Sequence, residues 1–240
     1  GGFIKKIDDA LKQRANTEGL GVKLLKHGLN GGRVPTVLEG KSPWGDLGGT
    51  MESLLEKERP TVVVIYLGIN DVWHGEKGTT QPDFEAGLNE MVAMSKKVGA
   101  AIVLCTPSII GEETQNNKLN DKLGEYSDII RKIAGDENLT LCDIHDAFLE
   151  ELRKVNPDHK HKGNLTYDGV HMNEKGNTLL ADRISLSLAK TIRNMSRSPS
   201  HETAVVGNRC CCSHAPFGGQ HGVPCGVPAE GVLFRMDEHL

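Results

Sequence analysis

The run Thr61-Val62-Val63-Val64-Ile65-Tyr66-Leu67 constrains this chain more than any other stretch. It is rich in β-branched residues and shows no polar alternation, so it reads as a strand buried on both faces. Such a strand needs helices above and below it, which implies a parallel sheet. Ala100 to Thr106 is a second buried strand, ended by Pro107, and Leu139 to Ile144 a third short one. Val22-Lys23-Leu24-Leu25 is a further strand, closed by the glycine-rich turn His27-Gly28-Leu29-Asn30-Gly31-Gly32.

Between these runs lie apolar residues at helical spacing. Ile4, Ile7 and Leu11 stripe residues 3–16, and Met51 to Lys57 forms a short helix stopped before Pro60. Phe84, Leu88, Met91, Val92 and Ser95 mark a third helix, and Leu119, Leu123, Tyr126, Ile130 and Ile133 a fourth. Phe148, Leu149 and Leu152 give a fifth, and Leu180, Ile184, Leu188 and Ile192 the last. Residues 40–49 read as a loop from their glycines and proline. Strands alternating with helices predict an α/β fold of three layers, α/β/α, around a parallel sheet. Chemistry in such sheets gathers at the carboxyl ends of the strands. The Gly28–Gly31 turn, the loop carrying Asn70 and the Thr106-Pro107 loop all fall at that edge.

Charged residues make up 25% and hydrophobic residues 38% of 240, a length that suits one α/β domain with a tail or two small domains. The formal net charge of -4 and the lack of a polybasic run argue against nucleic acid or an anionic membrane as partner. No apolar run approaches the roughly 18–20 residues of a membrane span. Residues 1–196 read as the domain. From residue 197 to 240, Ser, Pro, Gly, His and Cys replace periodic apolar residues, and the expectation there is a low-complexity, disordered tail. Cys105 and Cys142 lie in apolar runs and read as small buried hydrophobes. The tail's Cys210, Cys211, Cys212, His214, His221 and Cys225 fit zinc spacing poorly, because structural sites pair cysteines with two to four residues between them. Asp158, His159 and His161 read as a solvated turn in preference to a metal site.

Two short motifs carry the chemistry. In Asp168-Gly169-Val170-His171, the carboxylate can turn onto the near imidazole nitrogen and leave the far one free as a base. In Gly68-Ile69-Asn70-Asp71, the Asn amide sits at the mouth of a buried strand, where it can face a developing oxyanion. Each motif also has a structural reading: His171 as a loop histidine, Asn70 as a loop cap. Asp71 reads as a holder of the loop through backbone hydrogen bonds. Trp73 and His74 can line a substrate pocket or simply pack at the surface.

Taken together and in order, these blocks resemble the SGNH, or GDSL, hydrolases, esterases and acylhydrolases of flavodoxin-like α/β/α fold. Gly68-Ile69-Asn70-Asp71 is similar to the family's third block, and Asp168-Gly169-Val170-His171 to its fifth. Gly28-Leu29-Asn30-Gly31 is similar to its second. The resemblance spans roughly residues 1–192. It implies His171 and Asp168 as catalytic residues, Asn70 and Gly31 as oxyanion donors, and no cofactor or metal. It also implies a small-molecule ester substrate, with short-chain and O-acetyl esters both open. Compartment and oligomeric state are unreadable.

The family's nucleophilic serine belongs to a Gly-Asp-Ser block that closes its first strand, ahead of the first helix. Here the printed chain starts at Gly1-Gly2-Phe3, inside that helix, and no Gly-Asp-Ser occurs. Gly45-Asp46-Leu47 echoes the block but stands after the second block and has Leu in place of Ser. Ser42, Ser53 and Ser108 lack a strand-to-helix turn around them. The family's first strand lies between the second and third in the sheet, so its loss implies unpaired backbone ladders at about 1–3 kcal/mol per buried group. The expectation is a chain truncated at its N-terminus and inactive as printed. The alternative is a non-catalytic ester- or carbohydrate-binding module.

Overall fold

The computed structural model of the chain describes residues 2–18, 22–43, 45–196 and 229–235. The chain opens with helix α1 (Gly2–Glu18) and strand β1 (Val22–Gly28), followed by α2 (Val34–Glu39) and a small hairpin of β2 (Lys41–Ser42) and β3 (Gly45–Asp46). Then come α3 (Met51–Glu58), β4 (Val62–Tyr66), α4 (Ile69–Trp73), α5 (Gln81–Lys97) and β5 (Ala101–Cys105). The domain closes with α6 (Lys118–Asp136), β6 (Thr140–Cys142), α7 (Ile144–Val155) and α8 (Glu174–Ser196), and β7 (Ala229–Arg235) returns to the sheet.

The sheet order is β1-β7-β4-β5-β6, and every pairing in it is parallel. Alternation along β4 splits the core into two layers. Val63 and Ile65 join Leu55, Phe84, Leu88, Leu123 and Ile130 of α3, α5 and α6 on one face. Val62, Val64 and Tyr66 join Ile4, Ile7, Phe148, Leu180 and Ile184 of α1, α7 and α8 on the other. All five residues of β4 are buried, which is why its sequence carries no polar alternation. Cys105 and Cys142 are buried, reduced and directly opposite each other on β5 and β6.

Helix starts follow local chemistry. Thr50, Thr80, Asn117 and Asp143 each accept a backbone N–H of the first turn from their side chains. Thr80 is followed by Pro82, whose missing N–H has no partner to lose at that position.

Three elements away from the candidate site differ from the expectation. Residues 34–39 form a helix too short for apolar periodicity to show. Residues 40–49 contain the β2–β3 hairpin, and the Gly45-Asp46 echo is one of its strands. Most unexpectedly, Ala229–Arg235 forms a strand inside the stretch that shows no strand signal. It pairs with β1 from Val22↔Ala229 to Gly28↔Arg235 and with β4 from Val62↔Gly231 to Tyr66↔Arg235. The slot that family topology leaves open is therefore filled by backbone from the far end of the chain. Its only apolar cluster, Val232-Leu233-Phe234, is too short to flag a strand. The tail cysteines and His214 and His221 lie outside the described residues.

Candidate active site

The register levels Gly28, Arg235, Tyr66, Cys105 and Cys142 at one edge of the sheet. All strands run the same way, so this is the carboxyl edge, and the segments leaving it build the site.

On one side stand the turn after β1 and the short helix after β4. Gly31 is buried with φ 61, a left-handed conformation that glycine adopts without steric penalty. Asn70 is buried in the first turn of α4, not in a loop as its sequence suggests. Its Nδ2 donates to the Gly32 carbonyl at 3.3 Å, which joins the two segments. An amide nitrogen carries two hydrogens, so this bond leaves the second for another acceptor. Asp71 beside it is fully buried, and its carboxylate accepts the Val34 amide at the start of α2 at 3.0 Å. Burial pushes the Asp71 carboxyl up to about 6, partly offset by the Thr79 side chain, the Val34 amide and the Arg33 charge. Asp71 thus holds the turn, as its sequence suggests. Trp73, at the end of α4, is 39% exposed, and His74 after it is half-buried. Burial, then the Arg33 charge, lowers the His74 pKa.

On the other side of β4 lies the loop after β5, residues 106–112. Thr106 donates to Asp143, which Arg131 grips with two nitrogens at 2.7 and 3.0 Å. The His145 amide donates back to Thr106, and the His145 Nδ1–H donates to the Ser108 carbonyl at 2.6 Å. Further along, Gly111 donates its amide to the Gly169 carbonyl at 2.6 Å, and so docks the Asp168–His171 turn against this edge.

Within that turn, His171 Nδ1 lies 2.7 Å from Asp168 Oδ2. The other carboxylate oxygen accepts the amides of His171 at 2.8 Å and Val170 at 3.0 Å. Burial works to raise the Asp168 pKa, but the His171 ring and the two amides outweigh it and hold the carboxyl near about 2. Asp168 is therefore an acceptor at any ordinary pH. It fixes the proton on Nδ1 and leaves His171 Nε2 as the basic nitrogen. Gly169 between them has φ 105, and a Cβ there would lie 2.6 Å from His161 Nε2.

The serines named above are engaged elsewhere. Ser108 is buried and accepts the Tyr66 hydroxyl, Ser42 donates to the Asn30 carbonyl, and Ser53 to the Thr50 carbonyl. His159 pairs with Thr114 and His161 with Glu113. No group of three metal-binding side chains occurs among the described residues, and no described helix is long and apolar enough to cross a membrane.

Sequence reading missed Glu112. It is completely buried, yet it follows a glycine and precedes a second glutamate, which gives it the look of a solvated loop residue. Only its distant partners at 164–166 reveal it.

The chain is similar to known proteins over most of its length. Residues 8–179 match the GDSL-like Lipase/Acylhydrolase family. An acetylxylan esterase from Geobacillus stearothermophilus is 28% identical over 169 residues, 68% of this chain and 70% of that protein. Among solved structures, the acetyl xylan esterase AlAXEase superimposes with a TM-score of 0.67 at 33% identity, covering 77% of this chain and 89% of that one. LAE5, an α/β hydrolase from the metagenome of Lake Arreo, Spain, gives a TM-score of 0.64 at 22% identity over 78% of this chain and 80% of its own, a likeness of fold. The chain belongs to the GDSL-like lipase/acylhydrolase family, the SGNH/GDSL-type esterases, hydrolases that act on ester bonds.

Proposed function

We propose that these residues are the base and oxyanion parts of a serine esterase that removes short acyl groups, acetyl foremost, from hydroxylated substrates such as carbohydrates. The 2.7 Å pairing of His171 Nδ1 with Asp168 at the carboxyl edge carries this reading. In the proposed mechanism, His171 Nε2 takes the serine proton as the hydroxyl attacks the ester carbonyl. Asn70 and Gly31 donate to the oxyanion, and a single donor of that kind is typically worth about 10²–10³ in rate. His171 then protonates the leaving alcohol, and water resolves the acyl-enzyme by the same base. Trp73 and His74 would border the acyl or alcohol group. Acetyl as the acyl group is supported by the two relatives named as acetylxylan esterases. In the Geobacillus stearothermophilus esterase, catalytic mutants replace an aspartate and a histidine three residues further on. That is the spacing of Asp168 and His171.

The 240 residues spell no Gly-Asp-Ser, so by this mechanism the printed chain hydrolyses no ester. The same fact favours the second reading, a module that binds an acetylated carbohydrate without turnover. Both are tested with p-nitrophenyl acetate and acetylated xylooligosaccharide. The 240-residue chain is expected to show no turnover. Joining a β-strand that ends in Gly-Asp-Ser ahead of Gly1, with residues 229–240 deleted so that it can take the place of β7 between β1 and β4, is expected to create turnover that His171→Ala abolishes. Turnover indifferent to His171→Ala would overturn the esterase mechanism. Saturable binding of the xylooligosaccharide, with no turnover in the extended chain, would favour the binding module.

A further inference from the structure

We infer that Glu112 is a positioning residue for the Asp168–His171 pair, acting through the Thr166 hydroxyl; the inference rests on the esterase reading above. Glu112 accepts five hydrogen bonds, and all of them come from three consecutive residues just ahead of the pair. Its Oε2 accepts the Asn164 amide and side-chain nitrogen, each at 2.8 Å. Its Oε1 accepts the Leu165 amide at 2.8 Å, the Thr166 amide at 2.5 Å and the Thr166 hydroxyl at 2.6 Å. A carboxylate offers about four lone-pair sites, so this one is saturated. With its O–H turned to Glu112, the Thr166 Oγ1 accepts the Gly169 amide at 3.1 Å. Gly169 stands directly after Asp168, and its carbonyl is held by Gly111, the residue before Glu112. The turn is thus gripped through both polar groups of one peptide-bearing residue, each by way of the 111–112 segment.

The segment itself is anchored. The Glu112 carbonyl accepts Asn156 Nδ2 at 2.8 Å, and its amide donates to the His161 carbonyl at 2.8 Å. Asn120 fixes the preceding residues through the Ile110 amide at 2.8 Å and the Gly111 carbonyl at 3.0 Å. Burial alone would raise the Glu112 pKa, but the Thr166 hydroxyl and the Asn164 and Leu165 donors reverse this and lower it. Asp168 is half exposed, so it lacks packing of its own to fix its direction. An ionised, acceptor-only group with five convergent donors supplies that direction from beneath. A glutamine in its place would turn one acceptor oxygen into a donor facing N–H groups.

The test uses the full 240-residue chain and needs no turnover. Proton NMR follows the low-field His171 Nδ1–H, assigned by its loss in Asp168→Asn, and amide exchange follows Gly169. Glu112→Gln is expected to broaden or abolish the low-field signal. It should also speed Gly169 exchange at least tenfold more than that of the β4 and β5 amides, which report only the change in global stability. Should that variant fail to fold, Thr166→Val is expected to give the same two changes and Thr166→Ser neither. If folded Glu112→Gln, or Thr166→Val, leaves both readouts unchanged, the role assigned to Glu112 is wrong and the esterase reading stands. If Asp168→Asn leaves the His171 signal intact in the parent chain, the pair itself is not formed. The esterase reading then fails, and the positioning role with it.

Discussion

Asp71 and Glu112 are both fully buried carboxylates, one on each side of the site, and their acidities move in opposite directions. Asp71 holds the Gly31–Asn70 side with one backbone donor, the Val34 amide. Glu112 holds the Asp168–His171 side with five donors. Burial penalises the charge of both, more heavily at Asp71, and the number of donors then decides which effect wins. Asp71 ends at about 6, above its ordinary value, and Glu112 ends below its own. Burial of an acid is thus no guide to its charge until its donors are counted.

Exchanging each acid for its neutral amide should break this pair apart. Glu112→Gln leaves two or three buried N–H or O–H groups without an acceptor, at about 1–3 kcal/mol each. Urea denaturation at pH 7 is expected to show a loss of roughly 2–9 kcal/mol. A loss below about 1 kcal/mol would mean that water replaces the carboxylate and that Glu112 is not the anchor its geometry indicates.

Asp71→Asn is expected to act in the opposite sense, with a magnitude that depends on pH. The folded chain keeps the Asp71 proton up to about pH 6, whereas the unfolded chain releases it near 3.8. Stability therefore falls as pH rises from about 4 to 6, by an amount on the order of 3 kcal/mol. Asparagine cannot ionise, so the variant should lose that slope and be more stable than the parent at pH 7, yet not at pH 4. Equal urea midpoints for both chains from pH 4 to 7 would contradict the raised pKa.

This contrast also shows what was legible in the sequence. The β4 run could be read because burial on both faces writes itself into consecutive residues. Asp168 and His171 could be read because their partnership is local, three positions apart. Asn70 was placed at the right strand end but in the wrong element, since five residues of α4 are too few for a helical period. Glu112 could not be read at all: its donors lie more than fifty residues away, and a glutamate among glycine and glutamate carries no sign of burial. β7 was equally hidden, because its place depends on pairing with β1 and β4 rather than on its own composition.

Asp168 provides the smallest and sharpest test, because it separates donors from burial. Like Glu112 it is held ionised by converging hydrogen bonds, but its side chain is 51% exposed and water screens what those bonds contribute. Its folded pKa is depressed to about 2, so its contribution is fully present above its unfolded pKa and is lost as pH falls from about 4 to 2. After solvent screening, that contribution is expected to stay below about 1 kcal/mol. Asp168→Asn should thus barely move the urea midpoint at pH 7, even though it removes the acceptor that fixes the His171 proton. A loss there as large as that of Glu112→Gln would mean that the turn is held by Asp168 itself. The direction of support between the buried and the exposed carboxylate would then run the other way.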